Sequence, residues 1–261
     1  MIYVVGDIHG NFKPFSYIVL PKIKNMSKNK KINKEDIIVT LGDVGLKYGG
    51  KWNLRLKEFF SELPCTWIIM RGNHDDRYWK DVVSKEVIDG ETRWIAAEGW
   101  SFSNCFGEIT LVEDKYPNIH YIDDVGGLYS IEGYSCAFIP GAYSVDKHFR
   151  LTNALPYCYE EQLTYSEMTK LFKAIKNKKL DFIFSHTCPM SIIDNFKKDL
   201  FLPFIDQNTV DNNMEIFLDN IDLDSGCDYK HWFFGHYHDD RTIEDRYTML
   251  YNKPARLEDY V

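Results

Sequence analysis

Apolar residues fall into two rhythms along the chain. Short unbroken runs, Ile2–Val5, Ile37–Leu41 and Thr66–Met70, each end one or two residues before a glycine, as strands buried on both faces do. Between the first two runs, Phe12, Phe15, Ile18, Val19, Ile23 and Met26 recur at helical spacing, and Pro21 predicts a kink or restart there. Trp52, Leu56, Phe59, Phe60 and Leu63 predict a second helix. Strand, helix, strand, helix, strand is the order of a sheet with crossover helices. The lysine-rich stretch "KIKNMSKNKKINK" reads as a solvated loop between a helix and a strand.

From about Glu86 to Ile139 the texture changes. Short runs such as "ETRWIAAEG", "FGEITLVE", "NIHYI", "GLYSI" and "CAFIP", separated by glycine and acidic turns, predict a meander or hairpins. This stretch either forms a β-rich insertion or cap, or extends a sheet. Helical spacing returns at Leu163, Met168, Leu171, Phe172 and Ile175. "LDFIFSH" then predicts a strand, "TVDNNMEIFLDNI" a helix, "HWFFGH" a last buried strand and "TIEDRYTMLYN" a closing antiparallel hairpin. Without an internal repeat, low-complexity tract or linker, residues 1–261 are expected to form a single domain.

The chain of 261 residues is 44% hydrophobic and 15% aromatic, enough apolar material for one substantial core. A net charge of −8 argues against indiscriminate nucleic-acid binding over the whole surface, and no strong nucleic-acid signature is present. The six scattered cysteines form no C-x-x-C pair and suit free thiols in a reducing compartment. "MIYVVGDIHG" opens as a strand and loop rather than as a signal peptide, and no apolar stretch is long enough to span a bilayer. The expectation is a cytoplasmic, soluble protein with no membrane partner.

Five of these strands end in polar residues able to bind metal: "VVGDIHG", "TLGDVG", "IMRGNHDD", "IFSHTCP" and "FFGHYHDD". Sheet packing requires none of Asp7, His9, Asp43, Asn73, His74, His186, His236 and His238 to follow an apolar run, and ligands gather at the carboxyl ends of strands in open α/β sheets. Five of the eight histidines lie in these loops. Singly the motifs say little. An Asp-x-His is commonly a capped turn, an Asn-His-Asp ordinary loop chemistry, and "SHTCP" a satisfied histidine beside a buried thiol. His236 and His238 are a stronger pair, because residues i and i+2 of a strand point the same way and two close imidazoles gain little from packing. Together the five blocks converge on a metal site.

In that order, GDxH, GD, GNHD, a strand-end histidine and GHxH, the blocks resemble the signature of the calcineurin-like metallophosphoesterases, from Gly6 to His238. "GAYSVDKHFR" and "FLPFIDQ" are also similar to small bacterial and phage members. The resemblance implies an α/β protein, a two-sheet α/β/β/α sandwich with helices on the outer faces and a metal site at the carboxyl ends of the strands. It also implies a ligand set: Asp7, His9 and His238 for one divalent ion, Asn73, His186 and His236 for the other, and Asp43 bridging both. The glycine before His236 would let the chain turn tightly, each imidazole of the pair serving a different ion. Mixed imidazole, carboxylate and amide ligands suit manganese, the first expectation, or iron, zinc, cobalt or nickel. The implied chemistry is hydrolysis of a phosphate ester by attack of metal-bound hydroxide at a dinuclear centre.

His74 is not needed as a ligand and is expected to donate a proton to the leaving group. Asp75 and Asp76 either orient that imidazole or cap the loop. Arg71 either grips a phosphate oxygen or closes a salt bridge at the sheet end. Asn73 and His74 count as substrate contacts as well. Arg150 joins them if the "GAYSVDKHFR" loop reaches the site, the alternative being an ordinary surface loop. One departure stands out. Protein phosphatases of the superfamily carry GDxVDRG where this chain has "GDVGLKYGG", so Leu46 replaces the aspartate that supports their catalytic histidine and Lys47 the arginine after it. His74 must be tuned differently. The substrate class stays open among small molecules, nucleotides and phosphoproteins. A phosphatase leads, a phosphodiesterase or nuclease is the alternative, and a non-catalytic metal-binding scaffold on the same fold is the third reading.

Overall fold

Side chains along the central strands alternate between separate cores. Ile2 and Val4 face one apolar cluster while Tyr3 and Val5 face another, and Ile68 divides from Trp67 and Ile69 in the same way. Such runs are continuous in sequence because both faces of the strand are covered. The computed structural model describes residues 1–27, 29–196 and 210–261, so the stretch "FLPFIDQ" lies outside the described residues.

In chain order the strands are β1 (Ile2–Val5), β2 (Ile37–Thr40), β3 (Lys47–Tyr48), β4 (Lys51–Trp52), β5 (Thr66–Ile69), β6 (Val83–Ile88), β7 (Glu91–Ala96), β8 (Trp100–Ser103), β9 (Thr110–Glu113), β10 (Ile119–Tyr121), β11 (Gly127–Ile131), β12 (Tyr134–Ile139), β13 (Lys179–Ser185), β14 (Asp228–Phe234), β15 (Arg241–Ile243), β16 (Tyr247–Met249) and β17 (Ala255–Arg256). One sheet has the order β17-β1-β2-β5-β10-β9-β8 and the other β11-β12-β13-β14-β16-β15. The middle of each is parallel and the edges antiparallel: β1, β2, β5 and β10 run together in the first, β12, β13, β14 and β16 in the second.

The sheets pack face to face. Ile2, Val4, Ile37, Val39 and Ile68 of the first share one core with Phe138, Phe182, Phe184 and Phe233 of the second. On the outer face of the first sheet, Phe15, Val19 and Ile23 from the leading helical segment and Leu56 and Phe60 from helix Leu54–Glu62 cover Trp67 and Ile69. On the outer face of the second, Leu171 and Ile175 of helix Tyr165–Ile175 and Met214, Phe217 and Leu218 of helix Asn213–Asp219 cover Ile183 and Trp232. This is the α/β/β/α sandwich. A capping box at Thr164 and Glu167 starts the helix at Tyr165, satisfying two otherwise orphaned donors.

The leading segment restarts at its proline, and the stretch 86–139 combines the outcomes expected of it. A π-helical turn over Phe15–Val19 precedes it and Pro21 sits in the first turn of helix Leu20–Met26, where its missing N–H costs nothing. The stretch 86–139 divides three ways. β8 to β10 widen the first sheet and β11 with β12 widen the second, while only β6 and β7 form a hairpin of their own. The six thiols stand unpaired, and no helix among the described residues is long and apolar enough to cross a membrane.

Candidate metal centre

Parallel strands that end at the same edge deliver their following loops to one place. Asp7 and His9 follow β1, Asp43 follows β2, and Asn73 and His74 follow β5, all in the first sheet. His186 follows β13, and His236 and His238 follow β14, in the second. The loops are then tied to each other. Ile8 and His9 donate their N–H groups to the Asp43 carbonyl at 3.0 and 2.7 Å, and His74 donates its N–H to Asp43 Oδ1 at 2.8 Å.

Two groups of donors result. The Nε2 atoms of His9 and His238 lie 2.8 Å apart and face Asp7 Oδ2 at 3.7 and 3.1 Å. On the other side His186 Nε2 lies 2.7 Å from Asn73 Oδ1 and 3.4 Å from Asp43 Oδ1, while Asp43 Oδ2 is 3.9 Å from His9 Nδ1. Asp43 therefore stands between the groups. Asp7, His9 and His238 gather their ligand atoms within 4.8 Å, as do Asp7, Asp43 and His186. The His236 ring is 5.0 Å from that of His186, and its backbone N–H donates to Asp7 Oδ1.

This arrangement fits divalent cations. Donors bound to one ion at roughly 2.0–2.2 Å stand about 3 Å from each other, the spacing seen in both groups. His186 Nδ1 donates to the Leu41 carbonyl at 2.7 Å, which fixes its tautomer and leaves Nε2 facing two carbonyl-type oxygens. Asp7 Oδ2 is buried without a properly aligned donor. Buried acceptors aimed at one another are costly unless a cation or proton lies among them.

These residues also set one another's proton affinities. Burial would raise the Asp43 carboxyl, but His186, by charge and hydrogen bond, brings it well below the ordinary carboxylate value. His186 shows the reverse: burial would lower it, yet Asp43 raises it to about 9. Asp7 raises His238 as well, whereas burial and the charge of His186 hold His236 well below its usual value. Burial also lowers His74, in spite of Asp43.

Four of these residues hold the left-handed backbone: His9 at φ 51°, Asp43 at 46°, His236 at 70° and His238 at 53°. Outside glycine such conformations cost roughly 1 kcal/mol or more each and cluster at functional sites. The glycine before His236 has a different task from the tight turn expected of it. It is absent from the positive-φ positions, and a Cβ there would lie 2.4 Å from Asp7 Oδ1. Gly72 stands likewise against Asp43 Oδ1, at 2.1 Å. Both glycines make room for a carboxylate. Gly235→Ala should push Asp7 or the His236 backbone aside and weaken divalent-cation binding by about 10–100-fold, the usual cost of disturbing a ligand's support. Calorimetric titration checks this, and an affinity equal to that of the parent would dismiss the steric account.

Of the residues expected beside the ligands, two have structural tasks. Arg71 does not grip a phosphate from the position it holds. It is buried, with Nε donating to the Asp124 carbonyl and Nη1 to those of Glu160 and Glu161, so it ties two backbone segments to the end of β5. Asp75 is also buried and accepts the N–H groups of Val44, Gly45 and Gly72, which makes it the tie between two ligand loops rather than a partner of the His74 ring. Asp76 caps Gly50.

The "GAYSVDKHFR" loop does reach the site, by a residue the sequence did not single out. Ser144 Oγ accepts from Asn73 Nδ2 at 2.8 Å, turning Asn73 Oδ1 toward His186. Glu161 in turn accepts the Ser144 N–H. A serine has no periodicity to announce such a contact. Arg150, in the same loop, pairs with Asp146 at 2.6 Å and donates from Nη1 to the Tyr48 hydroxyl at 2.6 Å. The remaining histidines of the strands are structural: His120 meets Thr110 and His231 meets Thr248, and burial lowers both to about 4.

Residues 1–240 match the profile of the calcineurin-like phosphoesterases. No curated protein matches the chain. Among solved structures it is similar to phosphopantetheinyl hydrolase from Mycobacterium tuberculosis, at 11% identity and a TM-score of 0.43 over 97% of this chain and 88% of the other. It is also similar to a putative 5'-nucleotidase from Staphylococcus aureus, at 12% identity and a TM-score of 0.40 over 96% of this chain and 48% of the other. Likenesses of that degree bear on neither substrate nor reaction.

Proposed function

The chain belongs to the calcineurin-like phosphoesterase family, and from that premise we propose that it hydrolyses phosphate esters, monoesters foremost, at a pair of divalent cations held between its two sheets. The observation that supports this reading most is the position of Asp43, whose two carboxylate oxygens face His186 at 3.4 Å and His9 at 3.9 Å. Asp7, His9 and His238 would hold one cation and Asn73, His186 and His236 the other, with Asp43 shared. The mixed nitrogen and oxygen donors suit manganese, with iron, zinc, cobalt and nickel as competitors. When bound, such a pair supplies Lewis acidity, which acidifies water and neutralises phosphoryl oxygens.

The chain's own residues supply the rest. His74 is half-buried, its backbone fixed on Asp43, and its ring lies 5.6 Å from that of His9. A ring nitrogen of His74 would give its proton to the leaving oxygen. Arg150 keeps Nε on Asp146 and Nη1 on Tyr48, and among the described residues Nη2 has no partner, so it is the donor left for a phosphoryl oxygen. Asn73, locked by Ser144 through Nδ2, would present its carbonyl oxygen to the cation, and a remaining Nδ2 hydrogen would be its donor toward substrate. Arg71 and Asp75 act on the substrate only by keeping the loops in place.

Purified protein should carry divalent metal by elemental analysis, hydrolyse an aryl phosphomonoester faster than the matched diester, and lose both activities to a chelator, with recovery on adding manganese. Turnover that survives exhaustive chelation would sink the metal-dependent reading. Faster cleavage of the diester would move the chain to the phosphodiesterases, and bound metal with no turnover on either would favour a scaffold.

A further inference from the structure

Among the described residues, no protein group hydrogen-bonds to the ring of His74. Its orientation is left to two aromatic neighbours, His9 and Tyr48. Tyr48 meets it edge-on, with centroids 6.3 Å apart and planes at 81°, the geometry aromatic pairs favour. Tyr48 itself is held firmly. Its hydroxyl donates to the Pro156 carbonyl at 2.6 Å and accepts from Arg150 Nη1 at 2.6 Å, and Arg150 is fixed by Asp146.

The backbone beneath Tyr48 is bolted to the loop that carries His74. Tyr48 ends β3, in a hairpin closed by Gly49 and Gly50, both at positive φ as a two-residue turn requires. The Lys47 carbonyl accepts the Asp76 N–H at 2.9 Å, Asp76 Oδ2 accepts the Gly50 N–H at 2.6 Å, and Lys47 Nζ donates to the Arg77 carbonyl at 2.7 Å. Leu46, meanwhile, is buried in the outer core of the first sheet. Hairpin and His74 loop therefore move as one unit, and the residue it sets against the imidazole is a phenol.

We propose that Tyr48 is a positioning residue for His74, its ring holding the imidazole and its hydroxyl joining that imidazole's support to Arg150 and the 141–156 loop. The inference rests on the reading of His74 as proton donor. It goes beyond that reading in assigning the task of orienting the donor to a tyrosine that arrives in the "GLKYGG" departure.

The test compares Tyr48→Ala and Tyr48→Phe on two phosphomonoesters, one with an acidic nitrophenol as leaving group and one with an alkanol. A misplaced proton donor penalises the alkanol far more, because a nitrophenolate departs without help. Tyr48→Ala should lower kcat at least about tenfold on the alkyl ester and by much less on the nitrophenyl ester, any change in KM through Arg150 falling alike on both. Tyr48→Phe, which keeps the ring and loses only the hydroxyl anchor, should fall between. Combined with His74→Asn, Tyr48→Ala should cost nothing further. Equal losses on both esters, or losses that multiply in the double variant, would overturn the proposal. A crystal structure of metal-free Tyr48→Ala should show the His74 ring in a new rotamer, and a ring that stays where it is would overturn the proposal independently of any activity. Should His74→Asn alone leave turnover intact, the proton-donor reading falls, and that crystal structure alone decides the role of Tyr48.

Discussion

Asp43→Asn should hold at most one divalent cation with measurable affinity and lose at least about 10³-fold in turnover, the largest effect expected of any single change. The substitution keeps shape. The Asp43 carbonyl still receives Ile8 and His9, and an amide oxygen can still receive His74, so the loops have every reason to stay in place. What changes is the charge between His9 and His186. An amide presents N–H to one side, and a cation cannot share it. A second readout comes from protons. His186, raised to about 9 by Asp43, is protonated at pH 7.5 in the metal-free parent and must give up that proton to become a ligand. Titrations of the parent in two buffers of different ionisation enthalpy should therefore report about one proton released from His186 as its site fills, and those of Asp43→Asn less. Two ions bound with parental affinity in the variant would refute the shared carboxylate.

His74→Asn should do the opposite to occupancy and nearly the same to rate. Metal content should match that of the parent, because Asp7, His9, Asp43, Asn73, His186, His236 and His238 are untouched, while kcat on an alkyl phosphomonoester should fall by about 10²–10⁴-fold, the usual share of a proton donor. The loss should shrink as the leaving group becomes more acidic. Asparagine is chosen because it can follow Asn73 in the same loop and retain the backbone bond to Asp43. A variant that loses metal and turnover together would instead make His74 a ligand, and one that loses neither would leave the proton donor to be sought elsewhere.

How much of the fold a sequence reveals follows from the physics of parallel strands. An apolar run with both faces covered must stop where the chain turns to water, so its last polar residues mark the carboxyl edge of a sheet. Asp7, Asp43 and His186 announce themselves by that rule alone. The division into two sheets was not legible from the runs themselves, because Val4 and Phe184 read alike although they belong to opposite walls of one core. Arg71 misled because a cation beside a glycine at a strand end has the same sequence context whether it faces phosphate or three carbonyls. Gly235 suggested a turn, and its purpose shows only when Asp7, more than two hundred residues away, lies against it. Ser144 and Tyr48 left no pattern at all. Each acts through one contact across a long stretch of chain, and such contacts have no period.

The provenance of the ligands carries a consequence for the life of the molecule. Asp7, His9, Asp43 and Asn73 hang from one sheet, and His186, His236 and His238 from the other. Ions gripped by both would act as rivets through the sandwich, so stripping them with a chelator should hasten the parting of its two halves, and sensitivity to protease should rise with it. During synthesis both holes would stay open until residue 238 had emerged, so neither sheet alone could hold a full ligand set.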